Sequence, residues 1–179
     1  MNIARQHIWA GVLAVVVITL DLVTKSWALR ALPGADRELL GGLVPLHLTF
    51  NMGAAFGLSI GDDPRWIFVP ISFIAVGFLV YLIATAGPGD QLRTVASALV
   101  LGGALGNLYD RIRWEHGVVD FLGPIDLGFM HWPVFNVADM AITVGAVLLA
   151  IAFWREDRRA SQAAAMTSTQ GPSRVRGDS

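Results

Sequence analysis

Residues 66–86 read WIFVPISFIAVGFLVYLIATA, a stretch without a single Asp, Glu, Lys or Arg. At about 1.5 Å per residue, a helix of this length crosses roughly 30 Å of hydrocarbon. The rest of the chain has a similar character, because 54% of its 179 residues are hydrophobic and only 15% are charged. The sequence therefore predicts an integral membrane protein and argues against a water-soluble globule.

Three further apolar stretches flank this segment and complete a helical pattern. We predict a mainly α membrane protein whose four transmembrane helices span residues 8–30, 66–86, 93–111 and 137–154. In the third stretch, Ala98, Gly102 and Gly106 recur at every fourth position and leave one face nearly bare. Small residues at this spacing favour close approach of another helix.

The orientation follows from basic residues that flank one set of helix ends: Arg5, Arg93, Arg155, Arg158 and Arg159. By the positive-inside rule, both termini are expected in the cytoplasm. The membrane domain covers residues 1–159. Residues 160–179, rich in Ala, Ser, Thr and Arg without apolar periodicity, are predicted to be a disordered cytoplasmic tail.

Two outer segments, residues 34–63 and 112–136, connect the helices on the other side. Within residues 41–59, Leu46, Leu48 and Phe50 alternate with polar residues, a period that predicts short strands and a small outer-face β-sheet. Residues 113–135 hold several Gly, Pro and aromatic residues. For them we predict an irregular outer loop with a short helix. This loop would act as a lid over a functional site on the outer side of the membrane.

Composition excludes several function classes. The formal net charge of −1 provides no basic patch for nucleic acid. The absence of cysteine removes thiol nucleophiles and Cys-ligated zinc. The four histidines have no spacing typical of a metal site, so no metal is expected.

Polar residues collect near the outer ends of the predicted helices. Asp21 and Lys25 lie four residues apart, some 20 Å along the first helix, and Asn107 and Arg111 have the same spacing on the third. Ionisable groups at membrane depth are costly unless they pair or line a wet cavity. Both pairs have two open interpretations, structural support or participation in a functional site.

Asp120 and Asp139 differ from these pairs, since each follows apolar residues and has no basic neighbour within a helical turn. Two carboxyl groups in one site do not both ionise easily, so one holds a proton while the other activates water. Such a pair can hydrolyse a peptide. The alternatives are a small proton-coupled transporter that uses the carboxylates as a relay, and a purely structural scaffold. A relay is disfavoured because the inner parts of the spans, residues 8–20, 81–86, 94–101 and 146–154, carry no ionisable residue other than Tyr81.

Five blocks of sequence, in order, resemble the signature blocks of lipoprotein signal peptidase, the type II signal peptidase of bacteria. They are Asp21-Leu-Val-Thr-Lys25, Asn51-Met-Gly-Ala-Ala-Phe-Gly57, Gly102-Gly-Ala-Leu-Gly-Asn-Leu-Tyr-Asp-Arg111, Val118-Val-Asp-Phe121 and Phe135-Asn-Val-Ala-Asp139. The resemblance covers residues 8–154. Residues 112–117, which include Trp114, Glu115 and His116, depart from the family's pattern and are expected to affect how the outer loop closes.

The resemblance implies an aspartyl endopeptidase of the bacterial cytoplasmic (inner) membrane, active toward the outer leaflet. It would remove signal peptides from diacylglyceryl-modified prolipoproteins, cutting before the lipidated cysteine. The implied catalytic pair is Asp120 and Asp139, and Asp21 with Lys25 would give structural support. Residues that would bind substrate or order the site are Asn51, Gly53, Asn107, Arg111 and Asn136. Membrane lipids are the other expected partners. The protein is expected to be a monomer and to need no cofactor.

Overall fold

Four long helices and five short strands make up the described part of the chain. The computed structural model describes residues 3–34, 37–53 and 63–169, without the side chains of 167–169. The helices are α1 (Ile3–Ala31), α2 (Arg65–Ala84), α3 (Gln91–Arg113) and α4 (Val137–Thr169). The strands are β1 (Arg37–Leu39), β2 (Val44–Asn51), β3 (Val118–Leu122), β4 (Ile125–Asp126) and β5 (His131–Trp132), with a turn of 3-10 helix at Leu40–Gly42.

Three helices in this part of the chain are long and apolar enough to cross a membrane: Ile3–Ala31, Arg65–Ala84 and Val137–Met166. They correspond to three of the four predicted spans, although α2 ends at Ala84, two residues before its predicted end. The fourth predicted span, residues 93–111, is helical but less apolar, because α3 carries Gly, Ser, Thr and Asn among its apolar residues. Whether α3 also crosses the membrane therefore remains a prediction.

Contacts between helices fix their relative directions. Gln6 near the start of α1 donates a 2.5 Å hydrogen bond to Thr94 near the start of α3, and Lys25 donates to Asn107 farther along both helices. The helices α1 and α3 are therefore parallel. Asn107 also contacts Asp139 in the first turn of α4, so α4 runs in the opposite direction. The last turns of α1 and α3 thus meet the first turn of α4.

The predicted small-residue face of α3 contacts α1. A Cβ at Gly102 would lie 2.7 Å from Val17 Cβ, and one at Gly106 would lie 2.5 Å from Asp21 Oδ2. Gly103 faces α4 instead, where a Cβ would collide with the backbone oxygen of Ala138. Glycines on two faces of α3 therefore allow close packing on both sides, as small residues do in membrane helices.

A three-stranded antiparallel sheet lies at the end of the bundle where α1 and α3 finish. Its order is β1-β2-β3, with Arg37 opposite Leu46 and Thr49 opposite Asp120. Leu46 and Phe121 pack with Ala28 and Leu32 of the first helix and its end in one buried apolar cluster. This cluster attaches the sheet to α1. The predicted strand in residues 41–59 is confirmed for β2, while residues 54–59 lie outside the described part.

The second outer segment differs from its prediction. No helix occurs between residues 114 and 136, all of which are described, and the segment contains β3 and the two-stranded β4-β5 sheet. The prediction of a short helix was therefore wrong. Residues Val118 to Phe121 are buried without alternation, since they pack between β2 and the helices. Because β3 is paired with β2, it is a fixed strand of the sheet and not part of a lid.

The fourth helix continues beyond its predicted end. The sequence predicts disorder from residue 160, but α4 extends to Thr169. That prediction was wrong for residues 160–169, and residues 170–179 lie outside the described part. The reason is local, because Ala160, Gln162 and the three alanines at 163–165 have good helix propensity and no proline or glycine intervenes. At about 1.5 Å per residue, α4 is some 20 Å longer than a bilayer core requires.

Candidate active site

Asn136 and Asp139 close the first turn of α4. The backbone N–H of Asp139 donates to Asn136 Oδ1 at 2.9 Å, and the backbone N–H of Asn136 donates to Asp139 Oδ2 at 3.2 Å. This reciprocal pair is a capping box, which satisfies two backbone donors that a helix start would otherwise leave unpaired. It also fixes the Asp139 carboxylate at the positive end of the helix dipole.

The side chain of Asp120 extends from β3 toward the same asparagine. Asn136 Nδ2 donates to Asp120 Oδ1 at 2.6 Å, and Asn51 Nδ2 donates to Asp120 Oδ2 at 3.1 Å. Asn51 reaches this position because Thr49 is paired with Asp120, and residues two apart on a strand share a face. Asn136 therefore bonds to both aspartates, which come from distant parts of the sequence.

Burial sets the electrostatics of Asp120, which is only 1% exposed. Loss of hydration and, secondly, the negative charge of Asp139 raise the pKa of Asp120 to about 7. The hydrogen bonds from Asn51 and Asn136 act in the opposite direction, because they stabilise the carboxylate. A carboxyl group in this environment is able to hold a proton near neutral pH.

A buried ionic cluster lies beneath the two aspartates. Lys25 Nζ is 2.7 Å from Asp21 Oδ2 and 2.9 Å from Asp110 Oδ2, and it donates to Asn107 Oδ1 at 2.9 Å. Asn107 in turn donates to Asp139 Oδ1 at 2.8 Å. Two acids thereby compensate the charge of Lys25. The side chain of Asn107 connects Lys25 to Asp139, one of the two candidate catalytic residues.

The cluster also holds the backbone around both candidates. Asp21 Oδ1 accepts a 2.9 Å hydrogen bond from the backbone N–H of Ala138, which precedes Asp139. Asp110 Oδ2 accepts a 3.1 Å bond from the backbone N–H of Val119, which precedes Asp120. One acid of the cluster therefore orients the start of α4, and the other orients β3.

Asp110 is not among the site residues that the sequence singled out. The structure pairs Asp110 with Lys25. A signal was present, since Asp110 continues the four-residue period of Ala98, Gly102 and Gly106. That period marks the face of α3 that contacts α1, where Lys25 lies.

Gly53 and Arg111 lie at the edge of the site. The backbone N–H of Gly53 donates to Asn51 Oδ1 at 2.9 Å, and its φ of 99° is a conformation that favours glycine. A Cβ at Gly53 would collide with the ring of Phe68. The Arg111 guanidinium lies 5.6 Å from the centre of the same ring, and its charge interacts with those of Asp120 and Asp139.

A cavity of about 210 Å³ is lined by Met52, Phe68, Arg111 and Gly117, among others. It lies next to Asn51, because Met52 follows Asn51 in the chain and Gly117 faces the Asn51 backbone oxygen. Within residues 3–34, 37–53 and 63–169, no three His, Asp or Glu side chains are grouped so as to hold a metal ion. The structure thus brings the site residues that the sequence singled out together around the two aspartates, and Arg111 also lines the cavity.

Comparisons with known proteins agree with one another. A family model described as signal peptidase (SPase) II matches residues 13–155. A lipoprotein signal peptidase of Francisella tularensis subsp. novicida (strain U112) is 41% identical over 152 residues, covering 83% of this chain and 93% of the relative. The lipoprotein signal peptidase of Ralstonia nicotianae (strain ATCC BAA-1114 / GMI1000) is 42% identical over 153 residues, covering 84% and 86%.

Solved structures give the same result for the fold. A bacterial membrane enzyme structure obtained by the in meso method at 2.3 Å resolution matches with a TM-score of 0.72 and 29% identity, covering 93% of this chain and 94% of the other. A second, at 1.9 Å resolution, has a TM-score of 0.69 and 31% identity, covering 80% and 91%. With a family model that matches most of its length and relatives at this level of identity, the chain belongs to the signal peptidase II family.

Proposed function

We propose that this protein is an aspartic endopeptidase that removes the signal peptide of diacylglyceryl-modified prolipoproteins, cutting before the lipidated cysteine. Membership of the signal peptidase II family makes the chain a protease, and the relatives' name, lipoprotein signal peptidase, indicates the substrate class. The aspartic mechanism is supported above all by the position of Asn136, which is hydrogen-bonded to both Asp120 and Asp139. The charges of the two carboxyl groups also interact, and we propose that the pair acts on one water molecule.

The chemistry requires the two acids in different protonation states. Asp120, whose pKa burial raises to about 7, holds the shared proton. Asp139 acts as the base, taking a proton from water as the water oxygen attacks the scissile carbonyl carbon. The proton on Asp120 supports the carbonyl oxygen as negative charge develops there. Collapse of the tetrahedral intermediate then breaks the C–N bond, and the leaving amine receives the proton that Asp139 took up.

Asn51 and Arg111 are proposed to bind the substrate, with Arg111 also lining the cavity. The side-chain amide of Asn51 donates a hydrogen bond to Asp120. A substrate peptide group bound beside Asp120 would therefore meet polar groups that are already oriented. Arg111 brings a cation close to both carboxylates, which supports negative charge in the transition state. Asn107, Asn136 and Gly53 order these groups, and Asp21 with Lys25 supports the backbone from below.

The membrane arrangement completes the proposal. Large apolar side chains are exposed on the outside of the helices, for example Val15, Ile74 and Val147 at 61%, 73% and 55%. Such a surface is suited to lipid and not to water. We propose that all four helices cross the inner membrane, with both termini in the cytoplasm and the sheet at the outer face. The acyl chains of the substrate would then stay in lipid while its peptide enters the site.

A proton-coupled transporter is less well supported. The buried charged residues among those described are Asp21, Lys25, Asp110 and Asp120, and all lie at the end of the bundle that holds the sheet. A relay needs ionisable groups along the whole path between the two sides. The one-sided arrangement fits a hydrolytic site better.

The test is cleavage of a synthetic diacylated precursor by purified protein in detergent, with and without a chelator. Asp120→Asn and Asp139→Asn should each abolish cleavage, because neither amide can act as the acid or base, while the thermal unfolding profile in detergent stays that of a folded protein. Asp126→Asn is the matched control, since Asp126 is a highly exposed carboxylate in β4. Normal cleavage by either site variant would refute the proposed pair, and loss of cleavage with chelator would indicate a metal requirement.

A further inference from the structure

A second concave site lies between the last turns of α1 and α3. It is a groove of about 240 Å³, and Lys25 and Asp110 form its floor. Its walls include Leu22, Leu29 and Tyr109, and its rim carries Arg30 and Arg113. Arg113 is two positions beyond Arg111 on α3, and two positions on a helix correspond to nearly opposite directions. The groove is therefore separate from the cavity beside the two aspartates.

The rim of this groove has an excess of positive charge. Neither Arg30 nor Arg113 makes an ion pair with a carboxylate in the described part of the chain. The charge of Lys25 on the floor is already compensated by Asp21 and Asp110. Among the described residues, no carboxylate neutralises these two guanidinium groups, and a guanidinium is well suited to bind phosphate oxygens.

Contacts with two aromatic side chains hold the Arg113 guanidinium in place. It lies 4.8 Å from the centre of the Trp114 ring and 5.7 Å from that of Tyr109, whose hydroxyl it also contacts. A cation held over two aromatic rings loses less side-chain entropy when an anion binds.

The groove has the two-part character of a lipid site. Leu22 and Leu29 face it from α1 on the side of the helix bundle, while both arginines are in the final turns of their helices. With the helices in a bilayer, those final turns reach headgroup level. A soluble anion would use the arginines alone, whereas a phospholipid would use the arginines and the apolar wall.

We propose that this groove binds an anionic phospholipid, with its phosphate between Arg30 and Arg113 and an acyl chain along Leu22 and Leu29. Basic pockets between membrane helices hold such headgroups on the cytoplasmic side of membranes, and the same charge pairing would act at this end of the bundle. The bound lipid would bridge the ends of α1 and α3 directly above Lys25 and Asp110.

The experiment measures lipid retention by native mass spectrometry of the full-length protein, purified in neutral detergent and titrated with phosphatidylglycerol or phosphatidylcholine. The wild type should retain one phosphatidylglycerol more tightly than phosphatidylcholine. Arg30→Gln and Arg113→Gln should each weaken retention about fivefold, the effect of one arginine near an anionic surface. Equal retention by the wild type and the double variant would overturn the proposal.

Three further arms make the result specific. Arg37→Gln removes an exposed arginine of β1 outside the groove and should retain the lipid like the wild type; an equal loss there would show general charge attraction and overturn the proposal. Ser26→Trp fills the groove from an exposed position while both arginines remain, and it should also lose the lipid. Displacement of the lipid by excess inorganic phosphate would assign the site to a soluble anion and contradict the proposal. Thermal unfolding in neutral detergent alone should be the same for all variants.

Discussion

Asn136 and Asp139 exchange two hydrogen bonds at the start of α4, each donating its backbone N–H to the side chain of the other. The same asparagine donates its side-chain amide to Asp120. A helix cap and the alignment of two acids thus depend on one residue. The position of Asp139 follows from local helix chemistry, whereas that of Asp120 depends on how β3 packs against the helix.

These two tasks of Asn136 are separable by mutation. Asn136→Ala removes the cap acceptor and the amide donor together, so we expect a loss of about 1 kcal/mol in unfolding free energy from the cap and a loss of cleavage. Asn136→Ser keeps an acceptor for the Asp139 N–H but has no amide to donate to Asp120. It should recover most of the stability and little of the cleavage, measured by denaturation in detergent and by precursor processing.

Wild-type cleavage by Asn136→Ser would mean that the amide bond to Asp120 is not needed. Equal stability of the alanine variant and the wild type would mean that the cap contributes nothing to the fold.

The raised pKa of Asp120 makes stability depend on pH. Its pKa is about 7 in the folded protein against an ordinary value of 3.8. Between those values the folded state holds a proton that the unfolded chain has released, so the free energy of unfolding falls as pH rises. The contribution is fully present below about pH 4 and is lost as pH passes through about 7. Unfolding in detergent at several pH values measures it.

Asp120→Asn is the control, because an amide does not titrate. The difference between the two stability curves isolates Asp120 from other titrating groups, and parallel curves would contradict the raised pKa. Cleavage by the wild type should decline on the alkaline side as the same proton is lost.

Several features were predictable from local sequence, each for an identifiable reason. The alternation around Leu46 and Leu48 predicted β2, because one face of that strand packs on α1. The four-residue repeat at Gly102 and Gly106 predicted a helix contact, because residues at that spacing share a face. Both signals are written in neighbouring residues, so one sequence is enough to detect them.

Other features depend on contacts between distant residues. Val118, Val119 and Phe121 are all buried, so β3 shows no alternation and looks like a loop in the sequence. Its strand character comes from pairing with β2, which lies about 70 residues earlier. The partner of Asp110 was missed for the same reason, since Lys25 reaches it only after α1 and α3 have packed.

The buried cluster predicts a large effect at Lys25. Lys25→Met would leave the carboxylates of Asp21 and Asp110 buried without their cation, which typically costs about 3–5 kcal/mol. We expect a strongly reduced unfolding temperature in detergent. Arg37→Met, at an exposed position, should change stability by no more than about 0.5 kcal/mol. If both methionine variants unfold alike, the cluster does not hold the fold together.

Asp21→Asn tests the same cluster with a smaller change. The amide keeps an acceptor for the Ala138 N–H but loses the charge opposite Lys25. We expect weakened folding with measurable residual cleavage, because Asp21 is not one of the reacting acids. A well-folded Asp21→Asn protein without any cleavage would place Asp21 in the chemistry.

The close contact between α3 and α4 connects packing to the site. A Cβ at Gly103 would collide with the backbone oxygen of Ala138, next to Asp139. A backbone atom cannot rotate away as a side chain does, so Gly103→Ala should push the start of α4 outward, at a cost of about 1–3 kcal/mol. Gly77→Ala is the matched control, since a Cβ there meets nothing within 4 Å and alanine favours the helix.

Because Asp139 lies in the displaced first turn of α4, Gly103→Ala should lose cleavage as well as thermal stability, whereas Gly77→Ala should keep both. Retention of full cleavage by Gly103→Ala would show that the pair of aspartates tolerates movement of α4, and the tight coupling inferred from the Asn136 hydrogen bonds would then be wrong.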